Sequence, residues 1–422
     1  IYFDGAWPRW PASDENTERN LLEVLLSGRW AISGAFRGNE AFEKRFARDF
    51  ASFCNTEYCV PTSSGTAALT IALLALGIGP GDEVLVPGLT WVACASAVVS
   101  VGAIPVLVDI DPENLAMCPD AAERAITSKT AAILLVHPFC RLGDLDAFVA
   151  LCSRKAIPLI EDCSQAHGAR WRGRRVGSFG AAGCFSMQQS KILTSGEGGA
   201  VTTNDSGLAQ RLQQLRADGR VYAPTSVKGR LELLEVGEVM GQNFCLSEFQ
   251  SAILVDRLPH VDTENALRGL FERRLQELLA SDSLASLLST DSRITQVAYY
   301  NLVLRIDADR FNHVPIDMIA RALSAELGVQ ISPLYKPMNE HPLYVPLTSP
   351  RLKGHAQAVR FDPRQFDLPQ ARWARGLHLT VPNWPLLAGA VGAERLHAAL
   401  AKVGANSDAL ALLSLSESRE AF

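Results

Sequence analysis

Two short segments carry the residues best suited to chemistry. Lys191 lies in CFSMQQSKILTSGEGGA (184–200), after a β-prone apolar run and before a glycine-rich turn, where a strand opens into a pocket. Asp162 closes another apolar run, IPLIED, in the same way, 29 positions upstream. An amine and a carboxylate at the ends of neighbouring strands are what pyridoxal phosphate requires. The amine forms a Schiff base with the cofactor aldehyde, and the carboxylate keeps the pyridine nitrogen protonated. The reading requires that both residues share one pocket.

Further residues suit the same chemistry. In PTSSGTAAL (61–69), hydroxyls and a glycine stand immediately before a helical run. Ser64, Gly65 and Thr66 therefore offer unpaired N–H groups and the positive end of a helix dipole to an anion such as a cofactor phosphate. Trp91 follows the strand ending near Pro87, where an aromatic ring can stack on a flat heterocycle. Gln165 and His167, just after Asp162, reach the same mouth, and Gln165 can bond a ring hydroxyl. Each residue also has a plain structural use. Ser63 or Ser64 can simply cap a helix, Trp91 can fill a core, Asp162 can cap a helix or hold a salt bridge, and Lys191 can be a solvated loop lysine.

The elements that must position these residues alternate. After an N-terminal arm, helices are expected over 14–26, closed by Gly28, and over 39–53. Strands over 83–88, 105–110, 131–139, 157–162, 183–187 and 199–204 alternate with helices over 64–76, 90–102, 120–126 and 145–155. Continuous β-branched runs separated by helices indicate an α/β fold with a mostly parallel sheet covered on both faces. After 204 come a helix over 208–217, a polar irregular stretch over 219–240, and a long helix over 247–275 that Pro259 should break. A strand over 298–306 and a helix over 316–328 read as a smaller α+β domain. The expected organisation is an arm and large domain over 1–255, a small domain over 256–404, and a tail over 405–422, either helical or disordered.

At 422 residues the chain is long enough for two or three domains. A net charge of -5 argues against nucleic acid as a partner. The apolar runs are too short or interrupted to span a bilayer, so no membrane is expected. The first residues, IYFDGAWPRWP, carry no leader pattern, and without an initiator Met a few native residues are expected to precede them. Nine cysteines without a C-x-x-C pair favour reduced thiols and a cytoplasmic protein. Cys54 and Cys59 lack a matching His pair, so no metal site is expected.

Seven segments together resemble the fold-type I, pyridoxal phosphate-dependent DegT/StrS aminotransferases of sugars and aminocyclitols. They are SSGTAAL (63–69), GDEVLVPGLTW (81–91), VHPF with DLDA following, IEDCSQAHGA (160–169), GRRVGSFG (173–180), CFSMQQSKILTSGEGGAVTTND (184–205) and GQNFCLSEFQSAIL (241–254). The resemblance extends to enzymes that aminate cyclitol ketones such as scyllo-inosose and 2-deoxy-scyllo-inosose with L-glutamine, through SGRWAISG (27–34), LRADGR (215–220) and GEVMGQN (237–243). It implies that Lys191 forms the Schiff base and moves the proton. Asp162 would hold the pyridine nitrogen, Trp91 would stack on the ring, Ser64, Gly65, Thr66 and Ser186 would contact the phosphate, and Gln165 the ring oxygen. Asn243 would reach the phosphate of the neighbouring subunit, which implies a homodimer with shared sites. Trp30 would lie near the acceptor, whereas PLYKPMNEHPLY (333–344) departs from the usual sugar-branch pattern in the acceptor region, and its Tyr335 and Lys336 are expected only to line the pocket. Cys245 stands where many sugar aminotransferases carry Arg, which weakens transfer of their donor contacts. Amination of nucleotide-linked ketosugars, or aminobenzoate formation on the same fold, remain the other readings.

Overall fold

Seven strands with both faces apolar form the central sheet of the computed structural model, which describes residues 6–349, 352 and 358–420. The first five residues of the expected arm, 353–357 and the last two residues of the expected tail are among those outside the described residues. The strands are β1 (Tyr58–Thr62), β2 (Glu83–Pro87), β3 (Ile104–Val108), β4 (Thr130–Val136), β5 (Leu159–Asp162), β6 (Ala182–Ser186) and β7 (Gly199–Thr203). Their spatial order is β1-β7-β6-β5-β4-β2-β3. β6, β5, β4, β2 and β3 are mutually parallel, and β7 runs antiparallel to both β6 and β1. The expected mostly parallel sheet is therefore present.

Side-chain alternation divides each strand between two apolar clusters. Val84, Val86, Leu134 and Ile160 enter one cluster; Leu85, Ile133, Leu135 and Leu159 enter the other. The same parity places Asp162 on the Ile160 face and Glu161 on the Leu159 face. Glu161, fully buried, accepts backbone N–H bonds from Gly177, Phe179 and Gly180 at 2.7–2.8 Å, and His137 Nε2 lies 3.4 Å away. These bonds satisfy the buried carboxylate and fix the end of β5.

Helix α1 (Glu15–Ser27) starts at a capping box on Asp14 and ends at Gly28 in the left-handed region, φ 64°. α2 (Phe42–Cys54) presents Phe46 and Phe50 to the core, and α3 (Gly65–Ala75) follows β1 directly. β1 was not expected. It is an edge strand containing Pro61, a position where a missing N–H is tolerated, and its short run reads as the lead into α3. The stretch expected to be irregular over 219–240 contains an antiparallel pair, Arg220–Tyr222 with Leu233–Glu235. The long helix breaks at Pro259, as expected, into Glu248–Arg257, a 3-10 turn Leu258–His260, and Val261–Leu279.

Beyond the break, a four-stranded antiparallel sheet orders Ala285–Leu287, Asn301–Ile306, His378–Pro382 and Ser332–Pro333 side by side. The helices Val261–Leu279 and Ile316–Leu327 pack on it, Gly389–Ala405 packs on those two helices, and residues Ser407–Glu420 are helical. Among the described residues, no helix is long and apolar enough to cross a membrane.

Candidate active site

The carboxyl ends of parallel strands leave a crevice where the strand order reverses, the usual place for a ligand in open α/β sheets. Here β5 and β6 pair Asp162 with Cys184, so the end of β5 lies beside the start of the loop that carries Lys191. That loop is pinned at its base. Met187 N donates to Gly198 O at 2.8 Å, and Ser195 N and Thr194 Oγ1 both donate to Met187 O. Gly198 takes φ 157°, a conformation side chains disfavour. Lys191 N closes a tight turn onto Gln188 O at 2.8 Å, and the lysine is largely buried.

One cavity of about 450 Å³ brings together Ser64, Gly65, Thr66, Trp91, Asp162, Gln165, Ser186, Lys191 and Tyr335. Nine of the residues singled out in the sequence thus share a pocket. Trp91 is 45 % exposed, so it stands at the mouth and not in the core. Its ring lies 5.9 Å from Tyr335 and 6.0 Å from His341, the latter edge-on.

Four residues lie elsewhere: His167, expected at the same mouth as Gln165, is instead fully buried with its ring 5.4 Å from that of Phe185, and three others are exposed. Trp30 is exposed against Phe249, Lys336 is exposed, and Asn243 is exposed with its Oδ1 accepting from Cys245 N at 3.2 Å. None of them lines this chain's cavity.

The donor set fits pyridoxal phosphate. At the start of α3 the Ser64 hydroxyl accepts from Ala67 N at 3.1 Å, which leaves the first N–H groups of the helix for an anion. Ser186 closes over them: a Cβ added to Gly65 would stand 2.5 Å from Ser186 Cβ. The small cradle thus exists only with glycine there. Asp162 is buried, with Ser164 N donating to Oδ1 at 2.9 Å and the Cys94 thiol donating to Oδ2 at 3.1 Å. Burial, and then the adjacent Asp162 carboxylate, push the Cys94 thiol well up, so it remains a neutral donor. A buried carboxylate with those two donors has capacity left for the protonated nitrogen of a cofactor ring. Gln165 gives its carbonyl to Phe139 N at 2.6 Å, so its NH2 end is the one left for a ring oxygen.

Tyr300 was missed. AYYNLVLRI (298–306) reads only as a strand, and nothing local marks Tyr300 within it as a site residue. The fold places it across from Lys191, whose Nζ lies 4.1 Å from the Tyr300 ring centroid. Its hydroxyl meets Ser190 Oγ at 3.2 Å. Burial alone would raise the Tyr300 phenol, but the Lys191 ammonium and hydrogen bonds to Ser190 and Tyr335 outweigh it and lower the phenol. Burial, and then Tyr300, raise Tyr335 well above the usual phenol range. Cys94, Ser190 and Glu197 also line the cavity and were given no role from sequence.

The model of the DegT/DnrJ/EryC1/StrS aminotransferase family matches residues 11–372. An L-glutamine:2-deoxy-scyllo-inosose aminotransferase of Streptoalloteichus tenebrarius is 48% identical over 399 residues, 94% of each chain. An L-glutamine:scyllo-inosose aminotransferase of Streptomyces griseus is 46% identical over 385 residues, 90% of each chain. Among solved structures, S. venezuelae DesV aligns with a TM-score of 0.75 at 32% identity, covering 94% of this chain and 99% of that one.

Proposed function

The chain belongs to the DegT/DnrJ/EryC1/StrS aminotransferase family, and we propose that it moves an amino group from L-glutamine to a cyclitol ketone of the inosose class. That it is a pyridoxal phosphate-dependent aminotransferase follows from the family. The cyclitol reading is carried by one observation: similarity to relatives named for glutamine and inososes spans at least 90% of both chains.

When bound, pyridoxal phosphate supplies an aldehyde for exchange with amines and a ring that accepts electrons from a neighbouring carbon. The chain does the rest. Gly65, Thr66 and Ser186 would hold the phosphate at the start of α3, where Ser64 caps the helix. Asp162 would hold the proton on the ring nitrogen, Trp91 would cover the ring, and Gln165 would bond the ring oxygen. Lys191 Nζ would anchor the aldehyde and, once an incoming amine had displaced it, would be the free base that takes the proton from the amine-bearing carbon of the donor and later delivers one to the acceptor carbon. A positioned base of this kind contributes about 10²–10⁴-fold. Whenever Lys191 is free, Tyr300 keeps Nζ over its ring face. Asn243, exposed here, completes the phosphate site of a second copy, making the working unit a homodimer; the exposed Leu22, Leu25 and Leu26 of α1 are candidates for the surface it buries.

The test is turnover. Purified protein with L-glutamine should aminate scyllo-inosose or its 2-deoxy analogue; turnover of nucleotide-linked ketosugars alone, or an aromatised product, would overturn the reading. With cofactor added, the wild type should show a visible absorption band that Lys191→Ala lacks.

A further inference from the structure

A second cavity, of about 730 Å³, adjoins the catalytic one and shares Gln188, Ser190, Tyr300 and Tyr335 with it. The two differ in charge. The catalytic cavity is lined by Asp162, Lys191 and Glu197, whereas no charged side chain lines the second among the described residues. Instead it carries five carboxamides, on Gln188, Gln189, Asn301, Gln330 and Asn383, and the indoles of Trp10 and Trp384.

Two of these carboxamides, on Gln188 and Asn383, have bonding capacity left. Gln188 Oε1 is taken by Ser190 N and Ser190 Oγ at 2.8 and 2.7 Å, so what it offers a guest is its NH2 group. Asn383, 1% exposed, gives Nδ2 to Ser190 O at 2.6 Å, while its Oδ1 has no hydrogen-bond partner among the described residues. An unpaired buried carbonyl costs about 1–3 kcal/mol, which a hydroxyl donor would offset. Carboxamides that donate and accept beside aromatic faces suit a ring bearing hydroxyls on its edge and C–H groups on its faces. A diphosphate would find no cation in this wall.

From these observations we infer that this neutral cavity is the subsite for the ring of an uncharged polyol acceptor, held so that one ring carbon reaches Lys191 past Tyr300. The inference rests on the cyclitol reading of the acceptor. It assigns Gln330 and Asn301 to recognition of the acceptor and not of the donor.

scyllo-Inositol, which carries a hydroxyl where the acceptor has its ketone, cannot be aminated and reports binding alone. Titrated into the holoenzyme, it should change the tryptophan emission and inhibit competitively against the ketone acceptor. Gln330→Leu and Asn301→Ala should each weaken inositol binding and raise acceptor KM by about 3–10-fold, the loss of one neutral hydrogen bond. The glutamine KM should move by less than either. Equal inositol affinity in wild type and both variants, or inositol that competes with glutamine and not with the ketone, would overturn the inference. Failure of the cyclitol reading is separable, because it shows as wild type that aminates no inosose, whereas the inositol titration needs no turnover.

Discussion

Lys191 and Asp162 reach one cavity from different strand ends, and their surroundings determine what substitution at the site will do. Asp162→Asn keeps the side-chain shape but removes the anion that holds a proton on the ring nitrogen. A neighbouring opposite charge is worth about 1–3 pKa units, so turnover should fall by about 10–10³-fold, with a shifted pH dependence of the visible absorption band. Gly65→Ala is a steric test. The added methyl meets Ser186 Cβ at 2.5 Å, and over-packing of this kind costs about 1–3 kcal/mol. Thermal midpoint and cofactor affinity should both fall; adding Ser186→Gly should restore the midpoint but not the affinity measured by equilibrium dialysis. His167, buried against Phe185, gives a pH prediction. Burial, and then the Lys191 charge, hold its imidazole down to about 3 from 6.5. The unfolded chain therefore takes up a proton below pH 6.5 that the folded chain refuses until about 3. Folding stability is lost as pH falls through that window, by about 1.4 kcal/mol per pH unit, and no further below it. Urea unfolding of His167→Gln between pH 6.5 and 5 should show an acid slope shallower by about one proton.

Between single residues and the whole fold, the α3 turn depends on a buried brace. Arg216, 1% exposed, ends the helix Ser206–Arg216 and pairs with Glu43 of α2, equally buried, at 2.6 Å. It also donates to Pro61 O of β1 at 2.8 Å, while its own carbonyl accepts from Phe244 N. Phe244 O in turn receives Ser63 N at 2.7 Å, one residue before the helix cap. Arg216→Met leaves the buried Glu43 without a counter-charge and with the Tyr222 hydroxyl as its remaining side-chain donor, which should cost about 3–5 kcal/mol. Chemical denaturation should show that loss, and Glu43→Leu on the same background should recover much of it. This brace was not legible in the sequence, since its partners are brought together by tertiary packing alone. What was legible was local: IPLIED and GCFSM as buried strands, SSGT as a helix start, α2 with its phenylalanine stripe, and Pro259 as a break. β1 escaped because an edge strand of five residues with a proline lacks a strand pattern. Tyr300 escaped because its neighbour across the site, Lys191, is 109 residues upstream.

At the scale of the molecule, the proposed homodimer makes its own predictions. Light scattering should give about twice 45.7 kDa. Co-expressed Lys191→Ala and Asn243→Ala chains should regain activity that neither has alone, since a mixed dimer contains one site with both residues intact. No gain on mixing would remove Asn243 from the partner's phosphate site. The sheet also sets a limit on how this chain can vary. Glu161 and Asp162 are consecutive, yet one ties down backbone on the sealed face and the other faces the pocket. Insertion or deletion of a single codon within Leu159–Asp162 would exchange those two environments while leaving composition almost unchanged. In a library of codon insertions and deletions scored for amination, this segment should be intolerant of length change even where individual substitutions survive.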